Sequence, residues 1–140
     1  MSRSRSAVAG AAAAILWAGL ERIDMEVVRN DYSDVALLGK FVTRSRAWPL
    51  AGLAIHAMNG ALFGVAFDEV RRRTRVAPVP LGVGLALAEH VALFPLGALV
   101  DRFHPARGEA GVVDVFSRPA FAQATLRHAQ FGLTLGRLAG

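Results

Sequence analysis

Residues 48–67 read WPLAGLAIHAMNGALFGVAF, an unbroken apolar stretch in which His56 is the single titratable side chain. About 20 such residues are the length that an α-helix needs to cross the hydrocarbon core of a bilayer. Trp48 stands where interfacial aromatic residues are common, and Pro49 occupies a first-turn position that tolerates proline. The stretch therefore predicts a membrane-spanning helix.

Three further stretches have the same character, at residues 7–28, 81–100 and 118–138. The chain is 54% hydrophobic and only 19% charged, whereas a soluble domain is usually about one quarter charged. The charged residues cluster between the apolar stretches. We therefore predict one integral membrane domain over residues 1–140, an all-α antiparallel bundle of four transmembrane helices. A retained first helix is favoured over a cleaved signal peptide, because no small-residue cleavage site follows its apolar part.

The connections carry their own signals. Ser33 precedes Val35, Leu38 and Phe41 at helical spacing, which predicts a short amphipathic helix on the membrane surface after the first span, with a plain loop as the alternative. Pro95 is predicted to kink the third span. Ser117 is predicted to cap the fourth.

The positive charge indicates an orientation. Arginines lie in the first six residues and at residues 71–75, and the positive-inside rule places both segments, and hence both chain ends, in the cytoplasm. The net charge of +5 is explained by this topology, so nucleic acid is not an expected partner. The expected partner is the lipid bilayer of the cytoplasmic membrane. A homo-oligomer or a larger membrane complex is left open.

Two nine-residue segments share the pattern His-x3-Gly-x3-Gly, namely HAMNGALFG at residues 56–64 and HAQFGLTLG at residues 128–136. Each lies on the second helix of a predicted pair, and the first helices carry Glu21 and Glu89. This layout suggests a parallel internal repeat of two helices. Small residues one and two turns after each histidine predict close helix packing. These packing residues are Gly60, Gly64, Gly132 and Gly136.

Polar residues fall together near the middle of the predicted bilayer. The helical rise places His56 roughly 12 Å and His128 roughly 16 Å below the outer boundary. A charge at this depth costs on the order of 3 kcal/mol, so Arg127 needs an acidic partner. Glu89 is the predicted partner and Glu21 the second choice. The predicted ligand or ion centre consists of His56, Asn59, Glu89, His90, Arg127, His128 and Glu21.

Three functions are compatible with this centre. It could bind or conduct a small ligand, an ion or a proton. It could belong to a redox protein that holds a b-type haem between His56 and His128, or a metal ion between two histidines and two carboxylates. It could also be the core of a structural subunit in a larger complex. Glu-x-x-His ligand pairs, nucleotide-binding loops and nucleophile–base pairs are missing from the sequence, so neither a dedicated metal site nor an enzyme is favoured.

The segment AEHVALFPLGALVDRFHPAR at residues 88–107, with HAMNG in the second apolar stretch and RHAQFGLTLG in the fourth, resembles small four-helix bacterial integral membrane proteins. That resemblance covers most of residues 50–138. It implies the four-span topology, and it carries no activity, because the proteins that it resembles have no known function.

Overall fold

The computed structural model describes residues 2–140, and the regular secondary structure of this part of the chain is entirely helical, with no β-strand. The α-helices are α1 (Arg3–Val28), α2 (Asp34–Val42), α3 (Trp48–Arg71), α4 (Pro78–Leu93), α5 (Gly97–Phe103) and α6 (Arg118–Leu138). The prediction of an all-α protein is confirmed.

Two serines begin helices as predicted. The Ser33 Oγ accepts a hydrogen bond from the backbone N–H of Ala36 at 3.0 Å, and the Ser117 Oγ accepts one from Ala120 at 3.3 Å. Each bond satisfies an N–H group that lacks a partner inside its helix. The short helix predicted after the first long helix is therefore present as α2. Its position on a membrane surface stays a prediction.

The third apolar stretch is interrupted where the sequence places its internal proline. A 3₁₀ turn over Phe94–Leu96 separates α4 from α5, and Pro95 lies in its middle. Proline has no N–H to donate and its ring clashes with the preceding turn, so a regular α-helix cannot pass through it. The helix resumes and reaches Phe103, beyond the predicted end of the span at residue 100.

Three helical segments are long and apolar enough to cross a membrane: Arg3–Val28, Trp48–Arg71 and Pro78–Phe103. This finding supports a membrane protein. The fourth long helix, α6, has 21 residues but a more polar composition. Its most polar side chains, Gln123 and Arg127, are buried inside the bundle. The fourth span therefore stays a prediction.

The long helices associate in two pairs, α1 with α3 and α4 with α6, and α1 packs against α6 to join the pairs. Glycines set the spacing within each pair. A Cβ atom on Gly10 would collide with the Gly60 carbonyl oxygen, and one on Gly82 would collide with the Gly132 carbonyl oxygen. The backbones thus touch directly, which is how small residues stabilise helix pairs in membranes.

The two glycine contacts are equivalent in sequence. Gly10 and Gly82 are separated by 72 residues, and so are Gly60 and Gly132. In this register Glu89 corresponds to Trp17, and Glu21 corresponds to a leucine. Glu21 and Glu89 are therefore not counterparts of each other.

The outer surface of the bundle is apolar, while much of the interior consists of small residues and a few aromatic rings. The buried core includes Ala13, Ala14, Trp17, Phe67 and Phe131. Large aliphatic and aromatic side chains point outward from all the long helices, among them Val8, Ile15, Leu50, Met58, Leu62, Val91, Leu99, Phe121 and Leu126. An apolar surface of this extent suits contact with lipid.

Candidate functional site

Arg127 is the centre of a buried ion-pair network at one end of the bundle. Its side chain is 2% exposed and its guanidinium donates to two carboxylates. Nε and Nη2 donate to the two oxygens of Asp24 at 2.7 and 2.6 Å, and Nη1 donates to Asp34 Oδ2 at 2.7 Å. Nη2 also donates to the backbone carbonyl of Tyr32 at 2.8 Å. A guanidinium with this many acceptors is well satisfied without water.

The predicted partners of Arg127 were wrong in part. Glu89 forms no ion pair with it, and Glu21 lies 3.9 Å away, beyond hydrogen-bonding distance. Asp24 is the main carboxylate partner of Arg127. It lies one helical turn after Glu21 on α1 and therefore on the same side of that helix. Asp34 reaches Arg127 because residues 29–33 turn the chain back against the bundle. Helical depth alone identifies neither carboxylate.

Glu21 has a different role, which is to hold the start of α2. Its carboxylate accepts hydrogen bonds from the backbone N–H groups of Asp34 at 2.9 Å and Val35 at 3.3 Å. It also accepts one from the Ser33 hydroxyl at 2.6 Å. A carboxylate at a helix N-terminus satisfies free N–H groups and interacts favourably with the helix dipole. Glu21 therefore ties α1 to α2.

Asp34 connects the ion-pair network to aromatic side chains. It accepts hydrogen bonds from the Tyr32 hydroxyl at 2.6 Å and from the Trp17 indole N–H at 3.1 Å. Burial would raise the pKa of Asp34, but the charge of Arg127, the nearby His56 and the hydrogen bonds from Tyr32 and Arg127 together hold that pKa below its ordinary value. Burial and the adjacent Asp34 carboxylate raise the pKa of the Tyr32 hydroxyl well above its ordinary value. Both groups keep one protonation state near neutral pH.

A cavity of about 210 Å³ lies beside this network, enclosed by α1, α2, α3, α4 and α6. Its walls combine aromatic and polar side chains. The aromatic residues are Trp17, Phe63 and Phe131. The polar residues are Asp34, His56, Asn59, Glu89 and His128. Four of the residues predicted for the centre, His56, Asn59, Glu89 and His128, are thus brought together around one cavity.

His56 leaves a polar atom without a partner at this cavity. The residue is 8% exposed, and its Nε2 forms no hydrogen bond with any described residue. The Trp17 ring contacts the imidazole, with centroids 5.1 Å apart and the planes nearly perpendicular. A buried nitrogen without a partner costs roughly 1–3 kcal/mol, so a ligand or water that bonds to it is favoured.

His128 and His90 form a stacked pair, with ring centroids 4.8 Å apart. His128 Nδ1 lies 2.7 Å from the Ala124 carbonyl oxygen, so its proton lies on Nδ1 and Nε2 of the neutral ring is an acceptor. His90 Nε2 lies 3.0 Å from the Thr125 hydroxyl, which itself donates to the Phe121 carbonyl. His90 Nε2 is therefore a donor.

His90 is separated from the main cavity and lines a second one, of about 190 Å³. Glu89 and His128 line both cavities. Arg127 and Glu21 line neither of the two and act through Asp34. The seven residues of the predicted centre are thus divided among the main cavity, with four of them, the second cavity, with His90, and the ion-pair network, with Arg127 and Glu21. The predicted packing role of the glycines agrees with their close backbone contacts.

Trp17 changes the interpretation of the two repeated histidines as haem ligands. Its indole contacts His56 and also His128, with a centroid distance of 4.8 Å to the latter. A porphyrin held between the two imidazoles would have to displace this ring. Within residues 2–140, no three His, Asp or Glu side chains are grouped closely enough to hold a metal ion. The geometry does not favour the redox hypothesis.

The sequence analysis missed four members of the site: Trp17, Asp24, Tyr32 and Asp34. Asp24 follows Glu21 at i+3, which places both on the same side of α1. Asp34 follows the capping serine, a position where a carboxylate is expected for helix stability alone. Trp17 could have been identified from the sequence, because the 72-residue offset makes it the counterpart of Glu89, a predicted site residue.

No protein family, curated protein or solved structure matches this chain.

Proposed function

We propose that this chain is a four-span membrane protein of the cytoplasmic membrane, and that the cavity lined by His56 and His128 binds a small polar ligand. The observation that carries the proposal is the unpartnered Nε2 of His56, a buried polar atom of a residue that lines the cavity. Apolar pockets with a few converging polar groups are the usual form of small-molecule sites.

The fourth span is α6. Its 21 residues reach about 30 Å, enough to cross the hydrocarbon core. Its low overall hydropathy has a physical explanation, because two of the polar residues that lower it, Gln123 and Arg127, are buried inside the bundle instead of facing lipid. Both chain ends then lie in the cytoplasm, as the arginines at residues 71–75 favour.

The four helices form two copies of a two-helix unit. Support comes from the 72-residue offset that relates Gly10 to Gly82, Gly60 to Gly132 and His56 to His128. Each glycine pair makes the same backbone contact in its own half. Sites between repeats are common in transport proteins. The cavity lies between the two halves in the same way, because His56 lines it from one half and His128 from the other.

Thermal stability in detergent tests the binding function. Wild type and His56→Leu are melted against a panel of small cations, anions and neutral polar molecules. A ligand at about 100 times its Kd stabilises the folded state by about 2.7 kcal/mol, and we expect this gain in wild type only. Stabilisation of both proteins by the same compound, or of neither by any compound, would contradict a cavity that binds through His56.

Proton conduction is the second candidate, because Glu89 and His128 line both cavities and His128 stacks on His90. Titratable groups therefore extend from α3 to α4 across the bundle. In liposomes loaded with a pH-sensitive dye, wild type would collapse an imposed pH gradient and Glu89→Gln would not. A structural subunit would neither bind ligands nor move protons, and would copurify with other chains.

A further inference from the structure

The main cavity has an unbalanced charge. Two carboxylates, Asp34 and Glu89, line it, and no lysine or arginine does. The Asp34 charge is compensated by Arg127 at 2.7 Å. Glu89 has no ion pair and no side-chain hydrogen bond with any other described residue. An unpaired carboxylate near the middle of a membrane is unfavourable, so this cavity favours a positively charged guest.

The two histidines of the lining offer hydrogen-bond acceptors. His128 Nε2 is an acceptor because its proton lies on Nδ1, toward Ala124. His56 Nε2 is unpartnered, and in the neutral tautomer that carries its proton on Nδ1 it would accept an N–H or O–H from a guest. A guest that offers several N–H groups from one cationic centre would meet these acceptors and Glu89 together.

The aromatic walls and the size of the cavity further restrict the chemical class and the size of the ligand. Trp17, Phe63 and Phe131 line the cavity, and aromatic faces attract ammonium groups. The volume of about 210 Å³ is below the range of about 300–1,000 Å³ usual for drug-sized ligands.

Asn59 and Glu89 are the exposed polar residues of the lining. They lie on α3 and α4, two helices that contact each other far less than each contacts its own partner helix. The opening therefore lies between α3 and α4.

We infer that the ligand is a small protonated alkylamine, whose ammonium group lies between Glu89 and His56 and whose alkyl chain extends through the opening between α3 and α4. This inference rests on the proposed function and names its ligand class. Glu89 supplies the counter-charge, His56 accepts an N–H, and Trp17 contributes an aromatic wall.

Tryptophan fluorescence provides a direct test, because the chain has two tryptophans. Trp48→Phe leaves Trp17, which lines the cavity, as the only tryptophan. The full-length variant in phosphatidylcholine nanodiscs is titrated with butylammonium, butyltrimethylammonium, butanol and butyrate. We expect butylammonium to bind most tightly. Butyltrimethylammonium, which has no N–H, should bind about tenfold more weakly, and butanol and butyrate more weakly still.

Two further variants in the same background assign the contacts. Glu89→Gln should raise the Kd for butylammonium about tenfold or more, whereas Glu26→Gln, which changes an exposed glutamate on α1, should leave it unchanged. His56→Leu should reduce the difference between butylammonium and butyltrimethylammonium, because one of the N–H acceptors is then lost. Because Glu89 has no partner to lose and its unpaired charge is unfavourable, Glu89→Gln should keep or raise the melting temperature, which verifies that the variant is folded.

The outcomes separate the two proposals. Equal binding of butanol and butylammonium, or no effect of Glu89→Gln, would overturn the amine assignment and leave a cavity that binds small molecules. If no probe changes the Trp17 emission and no compound in the thermal panel stabilises the protein, the binding function itself fails.

Discussion

Arg127 on α6 and Asp24 on α1 form a bidentate ion pair, with parallel N–O distances of 2.7 and 2.6 Å. The pair lies where the two helix pairs meet, because α1 and α6 are the helices that join them. Parallel N–H donors fix both distance and orientation, which a single contact cannot do. The pair therefore sets how one half of the bundle is placed against the other.

Removal of one member of this pair should destabilise the protein strongly. We expect Asp24→Asn to lower the free energy of unfolding by about 3 kcal/mol, since the Arg127 charge loses its main acceptor in a buried place. Glu26→Gln, on the exposed side of the same helix, should change it little. The double variant Asp24→Asn with Arg127→Gln should cost less than the two single changes added together. Additive losses in denaturant titrations would show that the two side chains do not interact.

The glycine contacts predict opposite effects for chemically identical changes on one helix. Gly10→Ala and Gly82→Ala place a methyl group against a facing backbone and should destabilise by about 1–3 kcal/mol. Gly19→Ala and Gly84→Ala meet no atom within 4 Å and should be neutral or stabilising by up to about 1 kcal/mol. Melting temperatures of the four variants check this. Equal behaviour of Gly82→Ala and Gly84→Ala would refute the close approach of α4 and α6.

The proposed topology predicts the location of three reporter fusions. Reporters after residue 75 and at the C-terminus should lie in the cytoplasm, and a reporter in the loop after Gly108 should lie outside. This pattern requires α6 to cross the membrane. A C-terminal reporter on the same side as the one after Gly108 would remove the fourth span.

Asp34 should contribute stability that depends on pH. Its pKa in the folded protein lies below the ordinary value, so its contribution is complete above the pKa of the unfolded chain, about 3.9, and is lost as the pH falls through the folded value. The difference in melting temperature between wild type and Asp34→Asn should therefore be constant from about pH 5 to 7 and shrink below about pH 4. Asp114→Asn, an exposed change, should show no such difference. A gap that stays constant down to pH 3 would contradict the ion pair with Arg127.

Much of the fold could be predicted because local patterns determine it. The serines at residues 33 and 117 begin helices, and Pro95 interrupts one, through hydrogen bonds that depend on neighbouring residues alone. The glycine spacing identified close packing faces, since side chains four residues apart share one side of a helix. The same argument placed His56 and His128 toward one interior, and both line the main cavity.

The partners of Arg127 could not be predicted in the same way. Periodicity gives the depth and direction of a side chain within its helix, but Asp34 arrives from a separate short helix whose position depends on the turn before it. Glu21 fixes that turn by accepting a hydrogen bond from the backbone N–H of Asp34 at the start of α2. Its carboxylate is therefore not free to be the main partner of Arg127. The sequence analysis treated Glu21 and Glu89 as equivalent acids, whereas one is bonded to backbone and the other is without a partner.

The backbone contacts at Gly10–Gly60 and Gly82–Gly132 have a mechanical consequence. Helices in direct backbone contact cannot slide or separate without losing their packing, so each pair should move as a stiff body. The two pairs are joined mainly through α1 and α6, whereas α3 and α4 contact each other much less. We expect the cavity to widen or narrow by a small rotation of the two bodies about the Arg127–Asp24 ion pair, which would then serve as the pivot of a two-part clamp.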